Sequence, residues 1–128
     1  MRLALALILV SVQSKAARDT VRPRIERTNK ACGELGIADL IAGCIFSSEE
    51  KYGVELERLY KRLLRETTSN VAVLRSSQRA WLQYQKRICN SHELTAADEG
   101  PRAASLASAR CLLQITLQRI EKLRAMLA

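Results

Sequence analysis

Residues 71–89, VAVLRSSQRAWLQYQKRIC, show the clearest structural pattern of the chain. Within it, apolar and amide residues recur at alternating spacings of three and four, which is typical of the buried seam of an amphipathic helix. The seam positions are Val71, Leu74, Gln78, Trp81, Gln85 and Ile88, and Leu82 and Cys89 widen the apolar face. Trp81 therefore lies where a core residue is expected. Tyr84 is expected at the edge of the seam, with its hydroxyl in water.

Two further apolar stripes at helical spacing flank this stretch. The first predicts a helix over about residues 37–66, and the second predicts a helix over about residues 102–126. The middle helix is expected to end shortly before Gly100, which suits the left-handed position after a helix. Because short turns link the three helices, the predicted fold is all-α, an antiparallel three-helix up-down-up bundle stapled by two disulfides.

The first of these helices could be continuous or broken. Ser47 and Glu50 fit a capping box, which would start a new helix at Ser47. The apolar stripe nevertheless keeps its phase through this point. We therefore favour one continuous helix.

The four cysteines of the chain predict two disulfides, because an even number of cysteines in an exported protein is typical of a disulfide framework. Cys89 and Cys111 are each eleven residues from Gly100, so an antiparallel hairpin places them at the same height. This favours Cys89–Cys111 together with Cys32–Cys44. The alternative pairing, Cys44–Cys89 with Cys32–Cys111, stays open.

Residues 1–16, MRLALALILVSVQSKA, have the features of a secretory signal peptide. Arg2 supplies a positive amino end, residues 3–12 are apolar, and residues 14–16 offer a small-x-small cleavage site. The apolar run is shorter than the roughly 20 residues of a transmembrane helix. No cysteine lies near the cleavage site, which argues against a lipid anchor. We expect a periplasmic or secreted protein that begins at Ala17 and is not a lipoprotein.

The chain is basic, with a net charge of +8, and loss of the signal peptide would remove two cations and leave +6. Residues 18–30 carry five cations, two acids and no apolar periodicity, so we predict a flexible basic arm over residues 17–31. A basic exported protein meets anionic wall polymers, lipid surfaces or acidic proteins. Nucleic acid is not an expected partner, because the chain has five aromatic residues and no helix interleaves them with a basic face.

Catalytic and metal sites are not predicted. His92 is the only histidine and no C-x-x-C pair occurs, which argues against zinc and against a His-based triad. Glu50 and Glu57 share a helix face, but neither lies in an apolar stretch of the kind that keeps a catalytic acid protonated. We therefore predict no enzyme activity and no cofactor.

The cysteine spacing and three short motifs match a known pattern. The matching positions are Cys32, Cys44, residues 55–60 (ELERLY), residues 78–84 (QRAWLQY), Cys89, Cys111 and residues 118–123 (QRIEKL). In these positions the chain resembles the LprI-like lysozyme-inhibitor family, small exported bacterial proteins. The resemblance implies a helical domain over residues 32–128. It also implies a motif core of Leu59, Tyr60, Gln78, Trp81 and Tyr84.

The resemblance implies a protein-binding module of the bacterial envelope, with a lysozyme as partner. Inhibition would need side chains that reach a carboxylate-lined cleft. The candidates are Arg79, Lys86 and Arg87, which flank the tryptophan seam, or a predicted loop over residues 91–101. The alternative is a non-enzymatic envelope or wall-associated structural protein, whose basic surface binds peptidoglycan or another anionic envelope polymer.

Overall fold

The structure, a computed structural model, describes residues 20–67 and 69–127. These residues form helices α1 (Val21–Gly33), α2 (Ala38–Glu66), α3 (Val71–Ala96) and α4 (Pro101–Leu127), with a short 3₁₀ turn at Ala97–Glu99. None of these helices combines the length and the hydropathy of a membrane span. The predicted signal peptide, residues 1–16, lies outside the described residues, so its cleavage stays a prediction.

The helix α2 runs without a break from Ala38 to Glu66, which confirms the favoured continuous helix. Ile45 and Leu56, on either side of Ser47, are buried in the same core cluster. Both halves of α2 therefore cover one stripe of the core, and a break at Ser47 would separate them.

The predicted turn at Gly100 is also confirmed. Gly100 has a φ of 110°, in the region that glycine adopts without steric cost. Its N–H donates to the carbonyl of Ala97 at 3.0 Å and closes the 3₁₀ turn. The chain then reverses directly into α4.

The predicted flexible arm is wrong for residues 21–31, which form most of α1. Val21, Ile25, Thr28 and Cys32 share one face, with Thr28 and Cys32 buried and the other two packed against the core. Pro23 fits because it lies in the first helical turn, where its missing N–H has no intrahelical acceptor. The described part of the chain thus has four helices, and the three-helix bundle was wrong in its helix count.

A disulfide and an ion-paired glutamate hold α1 on the bundle in addition to its packed face. Cys32 bonds to Cys44 of α2, with their Cα atoms 5.5 Å apart. Glu55 of α2 accepts hydrogen bonds from Arg24 of α1, at 3.2 Å, and from Arg124 of α4. The segment predicted as a flexible arm is therefore tied to α2 through the disulfide and to α2 and α4 through Glu55.

The second disulfide joins α3 to α4. The Cα atoms of Cys89 and Cys111 are 5.4 Å apart, within the usual range for a disulfide. Together the two bonds confirm the favoured pairing. Such bonds persist in an oxidising compartment, and each contributes about 2–4 kcal/mol to the stability of a small domain.

The central helix is α4, which packs against both α2 and α3. Leu113, Leu117 and Ile120 share a core cluster with residues of α2, whereas Ile115 packs with the disulfide to α3. By contrast, α2 and α3 hardly touch each other. This arrangement leaves a groove between α2 and α3 above α4.

Candidate functional site

The groove between α2 and α3 has a volume of about 500 Å³. Its α2 wall carries the carboxylates of Glu49 and Glu57, and its α3 wall carries the guanidinium groups of Arg75 and Arg79. Apolar and amide side chains lie between these charged walls. The remaining lining residues are Gly53, Leu56, Tyr60, Gln78, Trp81, Leu82, Gln85 and Thr116.

A chain of hydrogen bonds crosses the floor of the groove and joins all three long helices. Thr116 of α4 is 1 % exposed, and its hydroxyl donates to Glu49 Oε1 of α2 at 3.0 Å. Gln85 of α3 donates from Nε2 to the same hydroxyl at 3.3 Å. This bond explains one of the two amides in the predicted seam, because a buried hydroxyl needs polar partners.

The second amide, Gln78, is 8 % exposed and belongs to another buried polar group. Its Oε1 accepts a hydrogen bond from Arg119 Nε at 3.0 Å, and Arg119 Nη2 donates to Ser77 Oγ at 3.2 Å. The guanidinium of Arg119 also lies over the ring of Trp81, 5.8 Å from its centroid. Burial lowers the pKa of Arg119, and the nearby Tyr60 acts in the opposite direction.

Arg119 is the residue that sequence reasoning did not single out. It is 5 % exposed, although it lies in a helix whose other arginines are half-buried or exposed. The available signal was its position two residues after Leu117 and next to Ile120, beside the apolar stripe of the third predicted helix. A cation at such a position is buried if the helix is central.

The residues of the predicted motif core take different positions. Leu59, Tyr60 and Trp81 are half-buried and pack against the main core cluster, and Gln78 is buried. Tyr84 is 45 % exposed, which agrees with its expected place at the edge of the seam. The structure thus brings Tyr60, Gln78 and Trp81 together at the groove and leaves Tyr84 outside it.

The predicted contact residues Arg79, Lys86 and Arg87 are all exposed on α3. None of them forms an ion pair within the described residues. Arg79 lines the groove, and Lys86, seven residues further, lies on the same side of the helix. Arg87 lies about 100° further round the helix.

The predicted loop over residues 91–101, the other candidate contact, is mostly helical. Residues 91–96 continue α3, and the 3₁₀ turn follows at Ala97–Glu99. The reason is that α3 extends for two turns beyond the disulfide at Cys89 and pairs along α4. A projecting loop is therefore absent from this end of the described bundle.

The side chains that most often hold a metal ion are those of cysteine, histidine, aspartate and glutamate. All four cysteines are in disulfides, so no thiolate is available as a metal ligand. No cluster of histidine and carboxylate groups that could hold a metal ion occurs among residues 20–67 and 69–127. Glu50 and Glu57 are both exposed.

These features define the class of the protein: a small helical bundle, stapled by two disulfides, with a polar groove built on its three long helices. The family model described as "Lysozyme inhibitor LprI" matches residues 37–123, which include all of α2 and α3 and most of α4. The chain therefore belongs to the LprI lysozyme-inhibitor family. No curated protein and no solved structure matches the chain. The helix α1 precedes the matched region.

Proposed function

We propose that the protein is an exported inhibitor of a lysozyme. The observation that carries this proposal is the family match over residues 37–123, since these residues build the whole groove. A stapled bundle suits such a role. Helices held by disulfides and by α4 lose little conformational freedom when a partner binds, and that lowers the cost of association.

Export is part of the proposal, and it rests on the signal-like residues 1–16 and on the two disulfides. The exported protein should begin at Ala17 and contain no free thiol. Intact-mass analysis of periplasmic and secreted fractions, with and without reductant, measures both properties. Exported material that retains residues 1–16, or that contains four thiols, would contradict this part of the proposal.

We assign the contact with the enzyme to the basic ridge, defined as Arg75, Arg79 and Lys86. All three are exposed, and none is paired with an acid in the described part of the chain. Two cations of α2, Lys61 and Arg62, differ because each is paired with a glutamate of its own helix. A glycoside hydrolase cleft contains a pair of carboxyl groups, and a guanidinium binds a carboxylate through two parallel hydrogen bonds.

The test is lysozyme turnover on cell walls, with enzymes of several classes and three forms of the mature protein. Wild type should inhibit at least one class. Arg79→Glu should weaken inhibition at least about tenfold, since reversing a charge at a close ion pair costs more than about 1.4 kcal/mol. Arg87→Glu is the matched control, with the same change on the same helix outside the groove, and it should inhibit like wild type.

The outcomes separate the contact surface from the function. If Arg79→Glu and Arg87→Glu lose inhibition equally, the basic ridge is not the contact surface, but the protein is still an inhibitor. If wild type inhibits no lysozyme class, the inhibitor proposal fails. Retained binding to purified peptidoglycan in that case would favour the wall-associated alternative, which the exposed cations of α3 also support.

A further inference from the structure

The buried guanidinium of Arg119 has no counter-ion among the described residues. Its two hydrogen-bond partners, Gln78 and Ser77, are neutral. Arginine is seldom buried to this degree without an anionic partner, because an uncompensated charge is costly in a low-dielectric interior.

The hydrogen bonds of Arg119 leave one edge of its guanidinium group without an acceptor. A guanidinium has five N–H donors, and here Nε and one N–H of Nη2 are occupied. Within the described part of the chain Nη1 makes no hydrogen bond. Nη1 and the second N–H of Nη2 form the parallel pair of donors that matches the two oxygens of a carboxylate.

Arg119 lines a second cavity, here called the α3–α4 cavity, which is distinct from the groove and has a volume of about 430 Å³. Trp81 borders both spaces. Apolar walls come from Trp81 and Ile115, and Lys122 adds a second cation. Lys122 is exposed and forms no ion pair in the described ranges, and the cavity lining contains no acidic residue.

We propose that the α3–α4 cavity binds the carboxylate of a small organic acid, with Arg119 as the buried counter-ion and Lys122 as a second cation at the rim. The volume equals that of roughly 14 water molecules in the liquid, enough for one substituted ring. A concave site with apolar walls and a few directed polar groups is typical of small-molecule binding. The site does not include the basic ridge, so it holds whether or not the protein inhibits a lysozyme.

Trp81, the only tryptophan, gives a fluorescence signal for binding in this cavity without interference from other indoles. Because Trp81 also borders the groove, variants at residues that line only the cavity assign the change to the cavity. Two matched pairs of probes separate a sugar acid from a simple acid: N-acetylmuramic acid with N-acetylglucosamine, and cyclohexanecarboxylate with cyclohexanemethanol. In each pair the first compound carries a carboxylate and the second does not. At least one acid should give a saturable change at pH 7, and its neutral partner should give none at the same concentration.

Variants place the binding in the cavity. Lys122→Met should weaken binding of the acid about two- to fivefold, the size expected for one exposed ion pair. Lys51→Met, an exposed lysine of α2 outside the cavity, should bind like wild type. Arg119→Lys keeps the charge without the two-pronged donor edge and should bind the acid more weakly than Lys122→Met does.

The proposal fails under any of three results. The first is that neither acid produces a saturable change, or that a neutral partner produces the same change. The second is that Lys122→Met binds the acid as tightly as wild type, which can be read even if the Arg119 variant does not fold. The third is that inorganic phosphate displaces the acid at lower concentration than the acid itself binds, which would make the site one for phosphate.

Discussion

Trp81 connects the core of the molecule with both of its open spaces. Its ring packs against the main core cluster and against the smaller cluster around the α3–α4 disulfide. It also borders the groove and the α3–α4 cavity, and Arg119 lies over it. The seam predicted a core residue, and the structure shows a half-buried one, because α2 does not close over α3 at this point.

We expect Trp81→Ala to lower the free energy of unfolding by about 2–3 kcal/mol. This is less than the 3–5 kcal/mol typical of a fully buried tryptophan, because part of the ring is already open to solvent. Urea unfolding followed by circular dichroism measures the loss. Gln83→Ala, an exposed position two residues away, is the control and should change stability by less than about 0.5 kcal/mol. Wild-type stability with lost inhibition would instead identify Trp81 as a partner contact.

At the scale of the helix, α1 and α2 show what sequence periodicity can and cannot predict. The continuity of α2 was predictable, since its apolar stripe stays in phase over eight turns. The helical state of α1 was not recognised, because its inward face contains Thr28 and Cys32 beside two apolar residues. Burial of Thr28 does not leave its hydroxyl unpaired, because the hydroxyl donates to the carbonyl of Arg24 at 2.9 Å.

The same limit of sequence periodicity applies to the candidate functional site. The amides Gln78 and Gln85 stood out in the sequence as polar residues in an apolar seam, and both prove to join helices through hydrogen bonds. Arg119 did not stand out, since an arginine every few residues is ordinary on a helix surface. Only the packing of α4 between two neighbours makes that position an interior one, and periodicity within one helix does not contain this information.

The Cys32–Cys44 bond should control whether α1 stays docked. Replacing both cysteines by serine should cost about 2–3 kcal/mol, as expected for a bond that closes a short loop. Amide hydrogen exchange should accelerate over Val21–Gly33, while the amides of α4 keep most of their protection. The matched variant replaces Cys89 and Cys111 by serine, and it should expose α3 instead. Unchanged exchange in α1 after loss of its disulfide would show that the Arg24–Glu55–Arg124 group is sufficient to hold it.

At the scale of the whole molecule, charge is distributed unevenly. The helix α2 carries six of the 13 acidic residues of the chain, whereas α3 carries four cations and one acid. The basic net charge of the chain is therefore combined with local surfaces of either sign. The net charge alone does not decide between an enzyme and a wall polymer as partner.

Salt should separate these two partners. Lysozyme inhibition by a packed interface should change little between about 0.1 M and 1 M salt, while binding to an anionic polymer should weaken strongly as the Debye length falls from about 10 Å to 3 Å. Deleting residues 17–31 would confuse this test, because the deletion removes most of α1. Neutralising the exposed cations Arg22, Arg27 and Lys30 to glutamine leaves the helix face intact. It should reduce peptidoglycan binding and spare inhibition. The reverse pattern would place the contact with the enzyme on α1 and not on the basic ridge.

The separation of α2 from α3 has a consequence for how the groove can vary. Each wall is docked on α4 and not on the other wall, so the width of the groove depends on the side chains that space the two helices apart on α4. Helix axes approach within 8–10 Å according to the size of the residues at the contact. Leu117 and Ile115 do not line the groove, but a substitution at either position would change the distance between α2 and α3. The width of the groove, and with it the selectivity for a partner, would then change although every wall residue stays the same.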